Sequence, residues 1–399
     1  MTTSSSLKRK IQIVMTLYGS LPVDTRVLRE ASVLHKSGYD VTVLDVGFGL
    51  KQDYVPEGVH RCSVIRIPFS QRISMKGLLR FWLKCFKGLL DRRRSIDIVH
   101  AHDLTGLPPA FAFVAMHPNT KLVYDSHELF PEAARSKLST LQYLVFLGLE
   151  LVCGILVNRL ITVSPSILQI LSKRISAPAV RLMNVPDLER IKLNLGYIPK
   201  WNGPRNDNTI RIAYPGRVLV QRGYEKIIDS AEILRTSGKR KFEFWIIGDG
   251  PLLPDLKDII RKRNLEDLFK FTGRVAFEEL LGYVSECDMA IGLYEDTPNN
   301  NLGLSNKLFE YMMIGVPFIF TNLTQSLPLL ETVGAWVLEN PVSGEALASA
   351  ILSLHDDSAR VKKLLDKGPN LIAMRFNWST EAKSLVRLYK DIRRGLIRS

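Results

Sequence analysis

The stretch SNKLFEYMMIGVPFIFTN, residues Ser305 to Asn322, carries two periodicities in succession. Leu308, Phe309, Met312 and Met313 recur at helical spacing after Ser305, a good N-cap, and the pattern stops at Gly315 with Pro317 beyond it. The spacing predicts a helix of about ten residues. Phe318-Ile319-Phe320 is then a continuous apolar run, the pattern of a parallel strand buried on both faces. A helix feeding such a strand is one αβ step of a parallel sheet. The same helix carries Asn306, Lys307 and Glu310 on one side, near the expected sheet edge. Read as residues alone, Lys307 and Glu310 are either an i, i+3 pair on a solvated face or part of a site.

Outward from this unit the alternation continues in both directions. Strands are expected near Ile11–Met15, Val41–Leu44, Ile98–His100, Leu122–Tyr124 and Leu160–Val163 in the first half. The second half repeats the rhythm at Ile210–Tyr214, Phe242–Ile247, Phe269–Phe271, Met289–Leu293, Val316–Phe320 and Ala335–Leu338. With helical patterns between them, these runs predict an α/β fold of two Rossmann-like, doubly wound parallel sheets. A chain of 399 residues also exceeds what one hydrophobic core normally serves. Asn194 to Thr209, rich in Asn, Pro and Gly, is the expected linker. The expected division is therefore a first domain at 1–193, the linker at 194–209, a second domain at 210–376, and a C-terminal helix at 377–399 free to pack back on the first domain. Two such domains would face a central cleft, since ligands of open α/β sheets bind outside the carboxyl ends of the strands.

The composition is that of a globular protein, 46% hydrophobic and 24% charged. Four scattered cysteines without a CxxC pair favour neither a disulfide framework nor a zinc site, and suit a reducing, cytoplasmic setting. The apolar run Tyr143–Val157 is too short for a membrane span and reads as a buried helix. A net charge of +14 points to an anionic partner without choosing one. Within 73–94, Lys76, Arg80, Lys84 and Lys87 fall along one helical face among Leu79, Phe81, Trp82, Leu83, Phe86, Leu89 and Leu90. That is either a helix suited to an anionic membrane surface, making the protein peripheral on the inner face, or an interior helix whose lysines face water. Binding of nucleic acid through charge alone is the weakest reading.

Three loops carry chemistry. After the strand ending at Pro215, Gly216, Arg217 and Arg222-Gly223 precede a helix, an arrangement suited to polyphosphate because amides and guanidinium groups both favour anions. Gly248-Asp249-Gly250 closes the next strand, where a turn is needed in any case. The first strand turn, VMTLYGSLPVD, lacks GxGxxG and speaks against a nicotinamide dehydrogenase.

The ordered segments DTRVLREASVLHKSGYDVTVL, DIVHAHD, VYDSHELFPE, LITVSPSI, PGRVLVQRGYEKII, IIGDGP, FTGRV and SNKLFEYMMIGVP, from about residue 10 to 380, resemble the family 4 retaining glycosyltransferases of the GT-B fold, glycosyltransferase group 1 type. The resemblance implies an acceptor-binding first domain and a second domain that binds a nucleotide-diphosphate sugar. Arg217 and Arg222 match a basic pair on the diphosphate, and Glu310 matches a glutamate that bonds the ribose hydroxyls. Amides at Gly303, Leu304 and Ser305 would face the diphosphate, with Gly216, Gly248, Asp249, Asn306 and Lys307 lining the donor site. His127 matches a histidine beside the reacting sugar, grouped here with Arg217 and Arg222 as the catalytic candidates. His100 and His102 follow a strand into the same region, and Gly19, Asp24 and Arg26 follow the first strand; Gly19, Asp24 and His102 are expected in the acceptor region or cleft, with Asp24 equally readable as a helix cap.

One departure from the family pattern is that the partner of Glu310 eight residues earlier is Leu302, so Asn299, Asn300 or Asn301 would hold the sugar hydroxyls. The resemblance implies transfer with retention, by same-face substitution, to a lipid-linked or polysaccharide glycan acceptor, as in polysaccharide biosynthesis. No metal and no cofactor beyond the donor are expected. The alternatives are a sugar-nucleotide epimerase of the same architecture and a noncatalytic GT-B binding subunit.

Overall fold

The computed structural model describes residues 9–47, 55–66, 75–135, 138–204, 207–238 and 240–398. The start of the basic segment, 73–74, and residues 205–206 of the expected linker lie outside these. The chain divides into two compact units, Met1–Met183 with Glu381–Ser399, and Asn184–Thr380.

The first unit holds a seven-stranded sheet of β1 (Gln12–Leu17), β2 (Asp40–Gly47), β3 (Val59–Arg66), β4 (Ile98–His102), β5 (Lys121–Ser126), β6 (Arg159–Thr162) and β7 (Ala179–Arg181), in the order β3-β2-β1-β4-β5-β6-β7. The second holds β8 (Thr209–Pro215), β9 (Lys241–Ile247), β10 (Phe269–Phe271), β11 (Met289–Gly292), β12 (Phe318–Thr321) and β13 (Trp336–Leu338), in the order β10-β9-β8-β11-β12-β13. Pairing is parallel throughout both ladders. The strand order therefore reverses between β1 and β4 and again between β8 and β11, the switch points at which α/β sheets leave a ligand crevice.

The opening stretch folds as its spacing predicts. Asn306–Ile314 is helical, Gly315 ends it with φ 76°, and all four residues of β12 are buried. Ser305 holds the cap position without capping, because its hydroxyl is bonded to the Tyr294 hydroxyl instead. β3 and β7 are strands without a counterpart among the expected runs. Both lie at sheet edges, and neither is a continuous apolar stretch.

Two expectations are corrected. The stretch 194–209 does not stand apart as a linker: the second unit begins at Asn184, includes the helix Leu188–Leu195, and is tied down at Trp201, whose backbone and indole N–H groups donate to Ile314 O and Cys287 O at 2.9 Å each. The apolar run Tyr143–Val157 is not a buried helix. In the helix Thr140–Gly154 only Phe146, Glu150, Cys153 and Gly154 are buried, whereas Leu141, Leu144, Val145, Leu151, Val152 and, just beyond the helix, Ile155 are exposed. At the other end of the chain, Leu385, Leu388, Tyr389 and Ile392 of the helix Trp378–Arg398 are buried, and the Glu381 carboxylate accepts from Met183 N–H at 2.7 Å within the first unit.

Candidate functional site

In the second unit the loops at the β8/β11 switch point gather most of the expected donor residues. β8 ends at Gly216, whose φ of 119° and position suit glycine alone: a Cβ there would lie 2.9 Å from Lys307 Cε. Gly248, after β9, is required for a different reason, because a Cβ would come within 2.1 Å of the Gly216 carbonyl oxygen. Asp249 turns its carboxylate onto the N–H of Gly250 at 2.7 Å, so it acts on the turn itself.

Lys307 is half-buried in the first turn of the helix Asn306–Ile314, and its ammonium lies 4.3 Å from the centre of the Tyr214 ring and 5.5 Å from that of Tyr294. The Arg222 guanidinium stands 4.4 Å over the same Tyr294 ring. Both contacts are cation–π in kind. The rings are held in turn: the Tyr214 hydroxyl donates to the carbonyl oxygens of Arg222 and Leu293, and Tyr294 is bonded to Ser305. Burial drives the Lys307 pKa down, Arg222 adds to the effect and Glu310 only partly opposes it, leaving the amine at about 7. Burial pushes the Glu310 carboxyl up, against the pull of Lys307, to about 7. Neither group has its ordinary charge secured at neutral pH.

Arg222, Lys307 and Glu310 are thus brought together. Arg217 is exposed on the same loop, and among the described residues no ring contact or ion pair ties its side chain to the other three. Gly303 ends the short helix Pro298–Leu302, and Leu304 and Ser305 lead from it into Asn306, which is exposed. Two of the three asparagines are engaged locally, Asn300 with Glu295 O and Asn301 with Asp296 and Thr324. Tyr214 and Tyr294 were not among the expected residues; an aromatic at the carboxyl end of two neighbouring strands was the available signal.

In the first unit a second cluster sits at the β1/β4 switch point. Asp24 caps the helix Thr25–Lys36 by accepting from Val27 N–H at 3.0 Å, the cap reading of that residue. Two residues on, Arg26 is not in a loop but buried in the helix, where its guanidinium meets Asp125 Oδ1 at 2.8 Å, Glu30 Oε1 at 3.0 Å and the Leu182 carbonyl at 2.8 Å. His100 and His102 point to one side of β4 with rings stacked 4.3 Å apart, and His100 Nδ1 lies 2.8 Å from the Tyr389 hydroxyl. Both histidines are fully buried, and burial lowers both pKa values. His102 is linked to the partly exposed His127, whose Nε2 lies 3.2 Å from His102 Nδ1. Gly19 contributes its carbonyl to Val46 N–H and makes no contact with this cluster among the described residues.

Burial opposes ionisation of Asp125, but Arg26 and His127 outweigh it and hold its carboxyl well below the usual range. Burial and the Asp125 charge push Glu30 up to about 8, so of the two carboxyls it is Glu30 that holds a proton at neutral pH. Glu30, His100, His102 and Asp125 offer ligand atoms within 4.8 Å of one another, but the cation between Glu30 and Asp125 is Arg26. The cluster is a salt-bridge network whose positive members are built in.

Comparison with known proteins agrees with both halves. The family model "Glycosyltransferase Family 4" matches residues 23–186, and "Glycosyl transferases group 1" matches residues 209–357. The chain is 25% identical over 181 residues to the alpha-D-kanosaminyltransferase of Streptomyces kanamyceticus, an alignment covering 45% of each protein. It is 24% identical over 383 residues to the 2-deoxystreptamine glucosyltransferase of the same organism, covering 89% of this chain and 95% of the relative. In fold it resembles Anabaena Alr3699/HepE, solved in complex with UDP-glucose, with a TM-score of 0.69 at 16% identity over 96% of this chain and 100% of that one. With two doubly wound sheets, and family models matching most of its length, the chain belongs to the group 1, family 4 glycosyltransferases of the GT-B fold.

Proposed function

We propose that the protein transfers a sugar, with retention, from a nucleotide-diphosphate sugar to a hydroxyl of a glycan or lipid-linked acceptor. The observation that carries this reading is the trio Arg222, Lys307 and Glu310 at one switch point, with two tyrosine rings under the two cations. Glu310, once ionised, accepts hydrogen bonds from the two ribose hydroxyls. Lys307, Arg222 and, from the rim of the loop, Arg217 supply positive charge to the diphosphate. The breaking bond is the one between the anomeric carbon and the diphosphate oxygen, and the electron pair goes to that oxygen, so stabilising negative charge there is the main catalytic task. The departing phosphate accepts the acceptor hydroxyl's proton on the same face of the sugar, which gives retention without a carboxylate nucleophile. Chain cations take the part that a divalent ion would otherwise play, so the reaction is read as metal-independent. Of the three asparagines, Asn299 is the one left to meet the donor sugar in place of the missing glutamate.

A thermal-shift screen with UDP, GDP, ADP, TDP and their sugars tests this directly. One nucleotide should stabilise the protein, by about 2.7 kcal/mol at a hundredfold excess over Kd, and Glu310→Ala should remove most of the effect. No shift with any of them would sink the reading. Turnover of the donor sugar to its epimer without an acceptor would favour the epimerase, and binding without turnover the noncatalytic subunit.

A second observation bears on where the acceptor is met. The solvent face of the helix Met75–Asp91 interleaves exposed Met75, Leu79 and Leu83 with exposed Lys76, Arg80, Lys84 and Lys87. The helix Asp103–Met116 packs against both this helix and the helix Thr140–Gly154 with its exposed apolar stripe. Among the described residues no helix is long and apolar enough to cross a membrane. Apolar residues among basic ones suit the surface of an anionic bilayer, so the protein is read as peripheral to such a surface. Sedimentation with anionic vesicles should carry the protein down and zwitterionic ones should not; unchanged partitioning of a Leu79→Ser, Leu83→Ser, Lys84→Glu variant would dismiss this surface.

A further inference from the structure

His127 has no free ring nitrogen. Nδ1 lies 3.3 Å from Asp103 Oδ2, and the other oxygen of the same carboxylate accepts the His127 backbone N–H at 2.8 Å, so one side chain clamps ring and main chain together. Nε2 lies 3.3 Å from Asp125 Oδ2 and 3.2 Å from His102 Nδ1. Asp103 holds its position at a cost, because its φ of 56° is the left-handed conformation that residues other than glycine rarely adopt. Such a conformation persists where the surroundings over-determine it, and here the fixed point is His127. The side chain still keeps 18% of its surface exposed, so a substrate can reach it.

We propose that His127 is a fixed imidazolium, with Asp103 and Asp125 as its positioning residues, that offers positive charge at the β1/β4 switch point to a substrate reaching that point and exchanges no proton with it. This rests on the glycosyltransferase reading for the substrate, but not for the state of the ring. A carboxylate at each nitrogen favours a proton on both. The charged and titratable groups around the ring are Asp103 after β4, His100 and His102 on β4, Asp125 on β5, and Arg26, Glu30 and the cap Asp24 on the helix Thr25–Lys36. Burial and Arg26 favour the neutral ring, yet the two carboxylates outweigh them and hold the His127 pKa up at about 10. His102, neutral through burial, lies beside Nε2 and adds no charge there. A group in this state does not serve as a general base near neutrality, since it has neither a lone pair nor a pKa near the working pH. Asp103 is the residue that sequence reading passed over, although it completes the HAHD segment.

The test is proton-detected nitrogen NMR on the full chain with labelled histidine, seven residues in all, with His127 assigned by the His127→Gln variant. Both ring nitrogens of His127 should stay protonated from pH 6 to 9 at the least. Asp103→Asn keeps the shape and removes the charge, and should lower the ring's proton affinity at least tenfold, bringing its titration into that window. Sugar transfer by this variant at saturating donor should then fall as pH rises through the new midpoint, a limb absent from the wild type under the same condition. A wild-type ring that is neutral at pH 7.5, or an Asp103→Asn ring that titrates as the wild type does, would overturn the proposal. If the ring behaves as expected but no donor is turned over, the functional reading fails and the charged state stands.

Discussion

At the carboxyl edge of the first sheet every charge has its opposite within reach: Asp125 has Arg26 and His127, His127 has Asp103, and Glu30 keeps a proton. At the equivalent edge of the second sheet Lys307 and Glu310 are both driven towards neutrality, and Arg222 and Lys307 rest on tyrosine rings instead of carboxylates. The same topology thus supports two electrostatic conditions. The first pairs its charges internally and holds a shape, with the partly exposed His127 among them. The second keeps two titratable groups near neutrality, which the diphosphate and ribose hydroxyls of the proposed donor would drive to their charged forms. The difference teaches where binding energy is stored, because charges paired within the protein are held in place at the expense of what they give a ligand, whereas desolvated ones without a carboxylate partner gain most from a complementary one.

The comparison is broken most forcefully at Arg26. Arg26→Met leaves Asp125 buried with only His127 opposite it, and removal of one member of a buried pair typically costs about 3–5 kcal/mol. Urea denaturation should show a loss of that size. A loss below about 1 kcal/mol, the range of an exposed pair, would mean that the network is not paired as described.

Much of this architecture can be read in the chain itself, and the failures have physical causes. Eleven strands follow from apolar runs because a strand covered on both faces needs such a run. β3 escapes because only Val59 and Ile65 of its eight residues are buried, with His60, Arg61 and Ser63 among the rest, and β7 because it has only three residues, none of them buried. The helix Thr140–Gly154 was misjudged because an all-round apolar composition states that a face must be covered without stating by what. In the sites, Arg222, Lys307 and Glu310 are legible through motif order, Arg222 on the loop after β8 and the other two on the helix Asn306–Ile314. The relation of Asp103, Asp125, Glu30 and Arg26 is not, because it joins residues up to 99 positions apart whose contact exists only once β1, β4 and β5 are paired. A carboxylate beside a histidine in sequence does not reveal which of the two holds the proton.

The smaller but sharper prediction concerns Lys307. Lys307→Met removes a desolvated amine, so the ligand-free protein should unfold within about 0.5 kcal/mol of the wild type or somewhat later, in contrast to Arg26→Met. Affinity for the nucleotide sugar should nevertheless fall by about 1.5–3 kcal/mol, the range for a hydrogen bond to a charged group. The sign of the pH dependence follows from the two groups. A diphosphate favours the protonated amine, so binding takes up a proton once the pH exceeds about 7, the value for free Lys307, and affinity declines above it. Ribose hydroxyls favour the ionised carboxylate, so binding releases a proton below about 7, the value for free Glu310, and affinity declines there too. The pair titrates together, giving a bell centred near neutrality with two apparent midpoints. The intact nucleotide sugar is the ligand to use, since its diphosphate diester has no proton to exchange in this range. Calorimetry across buffers of different ionisation enthalpy should show uptake on the alkaline side. Lys307→Met should keep only the acidic limb and Glu310→Gln only the alkaline one; an affinity independent of pH in the wild type would show that these two charges are as fully paired as those around Arg26.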